Sequence, residues 1–304
     1  MQLGKPSRTA WAVATHRAAH QILEGGRIFS DPLALRILGE DAETVAREAE
    51  EHPSRRAIRN FVAVRSRFAE DALAAAVERG VSQVVVLGAG LDTFAYRSAL
   101  RDRLRIFEVD HPATQAWKRE RLEAAGIAIP GSLRFAPIDF EHQTLAEGLA
   151  AAGFDRSQRT FFTWLGVVPY LSEGAVWSTL SLIASLPNGA HVVFDYSDPP
   201  ESLPAKRRAL HDDRAMRVAS LGEPWRTHFE AETLRAKLLA LGFVELEDMG
   251  PSQIAARYFP NSASKASDKG GHILRATTVP GAHPQHPTAS EPSPQSKSPN
   301  GEPP

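Results

Sequence analysis

Cysteine is absent from the 304-residue sequence. Its absence excludes disulfide bonds, cysteine nucleophiles and thiolate metal sites, although it does not indicate a cellular compartment. An excess of charge is also missing, because 35 Lys and Arg residues stand against 36 Asp and Glu residues, for a formal net charge of −1. A chain so close to neutral offers no electrostatic reason to bind nucleic acid or an anionic membrane.

Long apolar runs are missing as well. No stretch approaches the ~20 apolar residues that a membrane-spanning helix needs. The N-terminal stretch MQLGKPSRTAWAVATHRAAH contains no unbroken apolar core of signal-peptide length. Histidines and carboxylates do not fall at the spacing of a metal site built from three histidines or from two histidines and a carboxylate. We therefore expect a cytoplasmic protein that holds no metal.

The sequence does contain an organising stretch at residues 81–97, VSQVVVLGAGLDTFAYR. The run VVVL is rich in β-branched residues, which is typical of a strand buried on both faces. Gly88, Ala89 and Gly90 follow, and after them comes a segment that can begin a helix. A strand, a glycine turn and a helix in this order let a backbone approach a nucleoside ligand closely.

An acidic residue ends the next apolar run, Ile106 to Asp110. An acid at the end of the second strand of such a unit can bind both hydroxyls of a ribose. The spacing alone permits two kinds of nucleoside cofactor. A dinucleotide fingerprint has a third glycine in G-x-G-x-x-G, whereas Thr93 stands at that position here. A glycine turn after a strand can also be purely structural, so the stretch by itself leaves both the cofactor and the site open.

Apolar runs alternate with segments of helical periodicity through the rest of the chain. Further strands are predicted at 133–138, 160–165 and 191–195. Strands that alternate with helices predict an α/β fold with a parallel sheet and right-handed crossovers. Two last runs, at 243–247 and 272–277, predict an antiparallel closing pair.

The residues before the first strand form a region of their own, 1–80. Helical periodicity covers 7–24 and 54–79, and Asp31 is placed as the N-cap of a helix between them. This is more helix than a simple N-terminal connection to a sheet requires. We expect them to cover the cofactor site as a lid and to contact the substrate.

Two further boundaries follow the first strand. Residues 81–277 are expected to form the nucleoside-binding domain, in which the polar, proline-broken segment 197–228 is an insertion near the substrate. Residues 278–304 are rich in Pro, Ser, Gly and His without periodicity. Such a segment cannot bury enough apolar surface to order itself, so we expect a disordered tail.

Four motifs in this order resemble one known family: VVVLGAGLDTFAYR, FEVDHPAT, PIDF and WLGVVPYLS. Together they are similar to the leucine carboxyl methyltransferase-like family, and SRTAWAVATHRAAH is similar to its bacterial branch. The resemblance covers roughly residues 7–276. It implies a Rossmann-like class I methyltransferase with a mostly parallel, doubly wound sheet and an N-terminal helical lid. It also implies S-adenosyl-L-methionine as the cofactor, and so favours a methyl donor over a dinucleotide.

The resemblance further implies roles for residues at the ends of the first two strands. Gly88, Ala89 and Gly90 would let the backbone approach the methionine part of the cofactor. Asp110 would bind its ribose.

Other implied contacts lie further along the chain or before the first strand. Asp139 would hydrogen-bond the adenine amino group, and Phe140 would lie along the adenine ring. Arg65 would pair with the cofactor carboxylate, with Arg67 as the alternative. The chain departs from the family at Leu165, where many relatives have a glutamate that helps to hold the ammonium group of the cofactor.

Each of these residues also has a plainer structural interpretation. Asp110 can cap a helix, Asp139 can belong to a turn, and Arg65 can be a solvated helix arginine. Phe140 can be a core residue, and His111 can be a hydrogen-bonded histidine beside a proline turn.

The function that the resemblance implies is S-adenosylmethionine-dependent O-methylation. The acceptor would be a carboxylate or hydroxyl of a small molecule, natural products included. Tyr170 and His111 are the candidate catalytic residues, and His16 or His20 would reach the acceptor if the first helix closes the pocket.

Two other classes of function stay open at this point. One is an NAD(P)-dependent oxidoreductase, and the other is a non-catalytic nucleoside-binding protein on a methyltransferase scaffold. We expect a monomer or weak homodimer whose partner is a small molecule rather than nucleic acid or membrane.

Overall fold

A single sheet runs through the part of the chain that the structure, a computed structural model, describes: residues 7–139, 142–260 and 268–281. Its strands are β1 (Gln83–Leu87), β2 (Arg105–Asp110), β3 (Leu133–Pro137), β4 (Thr160–Trp164), β5 (Ala190–Ser197), β6 (Glu247–Met249) and β7 (Gly271–Thr277). They lie in the order β3-β2-β1-β4-β5-β7-β6.

Helices precede the sheet and connect its strands. They are α1 (Arg8–Leu23), α2 (Ala34–Leu38), α3 (Ala42–Glu51), α4 (Arg56–Val77), α5 (Phe94–Arg97), α6 (Pro112–Ala124), α7 (Leu145–Ala151), α8 (Glu173–Ala184), α9 (Ala205–Ser220), α10 (Ala231–Ala240) and α11 (Pro251–Tyr258). Among these described helices, none combines the length and the apolar character that a membrane crossing requires.

The first five strands run parallel. β1 pairs with β2 and β4, while β3 and β5 lie outside them. β7 then inserts antiparallel between β5 and β6. The mostly parallel, doubly wound sheet predicted from the sequence is therefore confirmed. Its strand order changes direction between β1 and β4, which is where such sheets form a ligand crevice.

Two apolar cores cover the two faces of the sheet. Val84 and Ile106 point into the core that contains α1 and α4 side chains. Val85 and Phe107, the next residues along the same strands, point into the core with α8 and α10. Because both faces are buried, β1 has a continuous apolar sequence rather than an alternating one.

The N-terminal helices are fixed to the sheet by a buried arginine. α1 packs on α4, and the Arg17 side chain of α1 donates to the Leu91 carbonyl at 2.6 Å. The same guanidinium pairs with Asp31 at 2.9 Å. α1 is thereby attached to the turn that follows β1.

Asp31 is not the N-cap of α2, contrary to the prediction, although its Oδ1 accepts the Leu33 N–H at 3.2 Å in the turn before that helix. The helix that follows begins at Ala34, and Leu33 holds its N-cap position. Asp31 is buried, and its charge is matched by Arg17 from another helix. An Asp-Pro pair favours a helix start locally, but here the need to pair a buried carboxylate decides its role.

The closing strands and the tail also differ from the prediction. The closing pair is antiparallel as predicted, but its first strand, β6, begins only at Glu247. Before it, Phe243 forms an isolated bridge to Thr278, and the Val244 N–H donates to the Thr277 carbonyl at 2.8 Å. Thr278, which was assigned to the tail, is buried and donates its N–H to the Ala190 carbonyl at 2.8 Å. The predicted tail from residue 282 onward lies outside the described residues.

Candidate active site

A cavity of about 820 Å³ opens where β1, β2 and β4 end. Turns at the strand ends, the helices α1 and α4, and the loop after α9 supply its lining. All the described site residues predicted from the sequence line it: Arg65, Gly88, Ala89, Gly90, Asp110, His111, Asp139 and Tyr170. Phe140 lies outside the described residues.

The glycines after β1 are required by backbone conformation and by space. Gly88 has φ +64° and Gly90 has φ +44°, a region that side chains disfavour. A Cβ atom at Gly88 would lie 2.4 Å from a Val167 methyl carbon, and one at Gly90 would lie 2.9 Å from the Cβ of Ala10. The turn thus presents bare backbone to the cavity.

The Asp110 carboxylate joins the end of β2 to this turn. Its Oδ2 accepts the Gly90 N–H at 2.6 Å, and its Oδ1 accepts the His111 N–H at 2.7 Å. Burial raises the pKa of Asp110, and these two hydrogen bonds oppose the rise. Each carboxylate oxygen has a second lone pair, so Asp110 can still accept hydrogen bonds from a ligand.

Asp139 follows β3, begins a turn there and lines the cavity. Its carbonyl accepts the N–H groups of His142 at 2.9 Å and Gln143 at 2.8 Å. The backbone therefore makes the turn that the plainer interpretation of Asp139 describes.

Arg65 lies at the base of the cavity, and a buried acid holds it there. Its Nη1 donates to Asp195 Oδ2 at 2.8 Å, and the other oxygen of Asp195 accepts the Gly166 N–H at 2.5 Å. A Cβ atom at Gly166 would lie 2.6 Å from Nη2 of Arg65. Glycine at this position therefore lets the guanidinium reach the end of β5. Leu165, which replaces the family's glutamate, lines the same wall.

Tyr170 belongs to a short 3-10 turn after β4, Val168–Tyr170. Burial raises the pKa of its phenol, and the nearby side chains of Trp225 and Thr9 oppose the rise. The hydroxyl therefore stays protonated at neutral pH and can donate a hydrogen bond into the cavity.

His111 caps α6, as the plainer interpretation of this residue suggests. Its Nδ1 accepts the Ala113 N–H at 3.2 Å. With Nδ1 occupied as an acceptor, the neutral ring carries its hydrogen on Nε2, which can donate a hydrogen bond to a substrate.

Glu223, in the loop after α9, closes the cavity against α1. Its carboxylate accepts hydrogen bonds from the Ser7 hydroxyl at 3.2 Å, the Arg8 N–H at 2.9 Å and the Thr9 N–H at 3.3 Å. A carboxylate at a helix N-terminus stabilises the unpaired N–H groups and the helix dipole. The insertion predicted near the substrate thus meets the first helix at the cavity.

Three residues considered from the sequence are not part of the cavity lining. Arg67 pairs with Asp71 at 2.8 Å on the exposed side of α4. His20 is buried beside Glu24, at 3.2 Å. His16 lies close to several arginines rather than in the cavity wall.

Sequence reasoning missed Asp195 and Glu223. Asp195 follows the apolar run HVVF near the end of β5, so the rule that selected Asp110 would also have selected it. Glu223 lies in a polar segment without periodicity, and no local signal singles it out.

The fold and the cavity define an α/β protein with a large cavity at the carboxyl ends of its parallel strands. Two solved structures share the fold. A DUF574 family protein from Streptomyces avermitilis is 17% identical, with a TM-score of 0.52 over 87% of this chain and 97% of that chain. A structure titled as a putative methyltransferase from Thermobifida fusca is 18% identical, with a TM-score of 0.51 over 91% and 97%.

Sequence comparison identifies the family. The family model for leucine carboxyl methyltransferases matches residues 10–184. A Bacillus subtilis protein named "Putative S-adenosyl-L-methionine-dependent methyltransferase YktD" is 36% identical over 207 residues, 67% of each chain. A Mycobacterium marinum protein of the same general name is 31% identical over 220 residues, 69% of this chain and 72% of that protein.

The chain belongs to the leucine carboxyl methyltransferase family. It is an S-adenosylmethionine-dependent methyltransferase, which confirms the resemblance seen in the four motifs and the cofactor it implied. The dinucleotide alternative is thereby set aside.

Proposed function

We propose that the protein transfers the methyl group of S-adenosylmethionine to an oxygen of a small-molecule acceptor, either a carboxylate or a hydroxyl. The main support is one continuous cavity that reaches from the glycine turn to Tyr170 and the start of α1. Its volume of about 820 Å³ is near the upper end of the range for a site that takes a drug-sized ligand. The cavity therefore has room for a small acceptor beside the cofactor.

The cofactor contacts are part of the proposal. The turn at Gly88–Gly90 presents bare backbone, which suits close approach of the methionine part. Asp110 would accept from the ribose hydroxyls, and Asp139 from the adenine amino group, with Phe140 along the ring. Arg65 would pair with the cofactor carboxylate through the edge of its guanidinium that does not bind Asp195.

The ammonium group of the cofactor requires another partner, because Leu165 replaces the family's acid. Carbonyl oxygens of Gly88 or Gly166 are suitable, since an ammonium group donates three hydrogen bonds and carbonyls accept them. Both glycines line the cavity.

The bound cofactor supplies a methyl group on a positively charged sulfur. An acceptor oxygen would attack that methyl, forming an oxygen–carbon bond as the carbon–sulfur bond breaks with its electron pair left on sulfur. A carboxylate would become a neutral ester, whereas a hydroxyl would also release its proton to water. The protein contributes alignment of the reactants and exclusion of water.

The side chains near the acceptor fit a reaction that needs little base catalysis. Tyr170 is a neutral phenol with a raised pKa, so it orients an acceptor as a donor rather than deprotonating it. His111 accepts the Ala113 N–H at Nδ1, so its neutral ring carries hydrogen on Nε2 and can donate a hydrogen bond to an acceptor oxygen. A carboxylate acceptor is already ionised and requires neither.

A panel of small carboxylic acids, phenols and alcohols tests the proposal. Each is incubated with the protein and S-adenosylmethionine, and mass spectrometry detects gain of one methyl group together with S-adenosylhomocysteine. Tyr170→Phe should lower kcat/KM for a true acceptor by about tenfold, because one hydrogen bond to the acceptor is lost. Tyr258→Phe is the matched control, since Tyr258 is not among the residues that line the cavity.

Two results would contradict the proposal in different ways. Methylation of acceptor nitrogen or carbon alone would exclude O-methylation. Wild-type turnover of an oxygen acceptor by Tyr170→Phe would remove Tyr170 from the mechanism while leaving the reaction in place.

A further inference from the structure

Two carboxylates lie on the same face of β2, and one of them is buried behind the other. Side chains alternate between the two faces of a strand, so Glu108 shares a face with Asp110, which ends the strand. Asp110 lines the cavity, whereas Glu108 is 1% exposed and is not among the lining residues. The contacts proposed for the cofactor give this buried acid no role.

Glu108 has two buried partners, which come from the helices that follow β1 and β2. Lys118 of α6 places its Nζ 2.8 Å from Glu108 Oε2, and both side chains are 1% exposed. The Tyr96 hydroxyl of α5 donates to the same oxygen at 3.2 Å. The Lys118 Nζ also lies 5.3 Å from the centroid of the Tyr96 ring. We call Tyr96, Glu108 and Lys118 the buried network.

The lysine of the network favours the charged form of both acids on this face of β2. Burial raises the pKa of Glu108 to about 6, and the charge of Lys118 opposes the rise. Glu108 is therefore ionised at neutral pH and pairs with the ammonium group. The same ammonium group opposes the rise that burial causes in the pKa of Asp110, because a nearby positive charge favours a carboxylate.

Stability alone does not account for the buried network. Within the described part of the chain, Oε1 of Glu108 has no hydrogen-bond partner. Removing two charges from water is costly, and apolar side chains of similar volume in place of a buried ion pair often leave a protein equally or more stable. A buried pair that is only partly satisfied therefore indicates a role other than stability.

The buried network joins the two segments that carry the cofactor-facing atoms. Tyr96 lies on α5, which follows the glycine turn, and Lys118 lies on α6, which follows Asp110. Gln115 of α6 adds a second contact, because its side-chain N–H donates to the backbone carbonyl of Glu108 at 3.0 Å. Both helices are thereby fixed against β2, and with them the turn whose N–H binds the Asp110 carboxylate.

We propose that the buried network holds Asp110 and the glycine turn at the spacing that the cofactor ribose requires. Tyr96, Glu108 and Lys118 are positioning residues, since none of the three lines the cavity. Their role rests on the ribose contact proposed above for Asp110, and it extends that contact to the residues that preorganise it. Disturbing the network should weaken recognition of the ribose hydroxyls while the fold stays in place.

Calorimetric titration with two ligands tests this role. S-adenosylhomocysteine and its 2′-deoxy analogue are titrated into the full chain, and the ratio of their dissociation constants measures recognition of the ribose. The wild-type protein should prefer S-adenosylhomocysteine by at least about tenfold, since a hydrogen bond to a charged group contributes roughly that much. A general loss of folded protein weakens both ligands equally and leaves the ratio unchanged.

Two variants disturb the buried network to different degrees. The double variant Glu108→Met, Lys118→Met replaces both charges with apolar side chains of similar length, so that no buried charge is left unpaired. Its preference for S-adenosylhomocysteine should fall to about twofold or less. Tyr96→Phe removes a single hydroxyl and should lower the preference by about threefold. Thermal melting confirms that each variant is folded.

Tyr196→Phe is the matched control. Tyr196 is also buried, and its hydroxyl also donates to a carboxylate, that of Asp248. Asp248 lies on β6, at the edge of the sheet and away from the glycine turn. The preference for S-adenosylhomocysteine should therefore stay at the wild-type value.

The outcomes separate the network from the cofactor contacts. A double variant that keeps the wild-type preference, or a preference that falls as far in Tyr196→Phe as in Tyr96→Phe, would overturn the positioning role alone. A wild-type protein that binds both ligands equally would refute the ribose contact of Asp110, and the positioning role with it. Loss of the preference in the double variant, with Tyr196→Phe unchanged, would uphold both.

Discussion

Charged side chains on the two sides of the cavity are paired in different ways. On the glycine-turn side, Asp110 is held by backbone N–H groups of the residues beside it, and Arg65 is matched by Asp195. On the lid side, the Glu223 carboxylate is held by the start of α1, 214 to 216 positions away in the sequence. The charges of the first side are matched within the protein, which suits a cofactor that every turnover uses. The second side is closed by contacts between distant segments, so it can differ while the cofactor side stays the same.

The glycine-turn side and the lid side also differ in how tightly they are packed. The glycine turn lies between two buried strands and tolerates no added atom at Gly88. The lid side includes α9, a helix without a buried residue. Regions with few buried contacts open at lower free energy than the core, so the acceptor side is expected to adapt while the cofactor side stays fixed.

Substitution of Gly88 should have the largest effect and tests the rigid side. Gly88→Ala places a Cβ atom 2.4 Å from Val167 at φ +64°, so we expect a loss of about 3 kcal/mol of unfolding free energy and of S-adenosylhomocysteine binding. Chemical denaturation and calorimetry measure the two.

Gly25→Ala is the control for backbone conformation. Gly25 has φ +61° with no atom within 4 Å of an added Cβ, so the loss should be about 1 kcal/mol and binding should persist. Equal losses in both variants would contradict the steric account of the turn.

Asp195→Asn should have the next largest effect, because it removes the charge that matches Arg65. We expect S-adenosylhomocysteine to bind about tenfold more weakly, with a lower melting temperature. Asp71→Asn, which breaks the exposed Arg67 pair on the same helix, should change neither. Unchanged affinity in Asp195→Asn would show that the orientation of Arg65 does not depend on Asp195.

The smallest expected effect is the pH dependence of stability that His16 confers on the lid side. Burial, with the charges of Arg55, Arg59, Arg65 and Arg214, lowers its pKa to about 4, so the unfolded chain binds more protons than the folded chain between about pH 6.5 and 4. Stability should fall as the pH falls through this window, by at most about 1.4 kcal/mol per pH unit.

His16→Gln should flatten that part of the curve, measured by urea denaturation at several pH values. His52→Gln, at the exposed C-terminus of α3, should leave it unchanged. A slope that persists in His16→Gln would contradict the crowding of positive charge around His16.

The sequence predicts the cofactor side well because its signals are local. The run before Gly88 and the acid at Asp110 each depend on a few adjacent residues, and the structure has them as a strand and a strand end. The same locality explains the error at Asp31, where a partner from another helix outweighs the local preference.

The lid side could not be predicted in this way because its contacts join distant residues. Ser7 and Glu223 are 216 positions apart. The pair of Arg65 and Asp195 on the cofactor side was missed for the same reason, since 130 positions separate them. Only the fold brings such residues together, and a polar helix like α9 shows no periodicity that would reveal its partners.

The most direct test of the account is calorimetric titration with S-adenosylmethionine, S-adenosylhomocysteine, NAD and NADP, on the wild-type protein and on Asp110→Ala. We expect saturable binding of the first two ligands alone, weakened by about two orders of magnitude or more in the variant, because the carboxylate at the end of β2 is lost. Binding of NAD or NADP, or undiminished binding by Asp110→Ala, would contradict the assignment of the cofactor site to the glycine turn and Asp110.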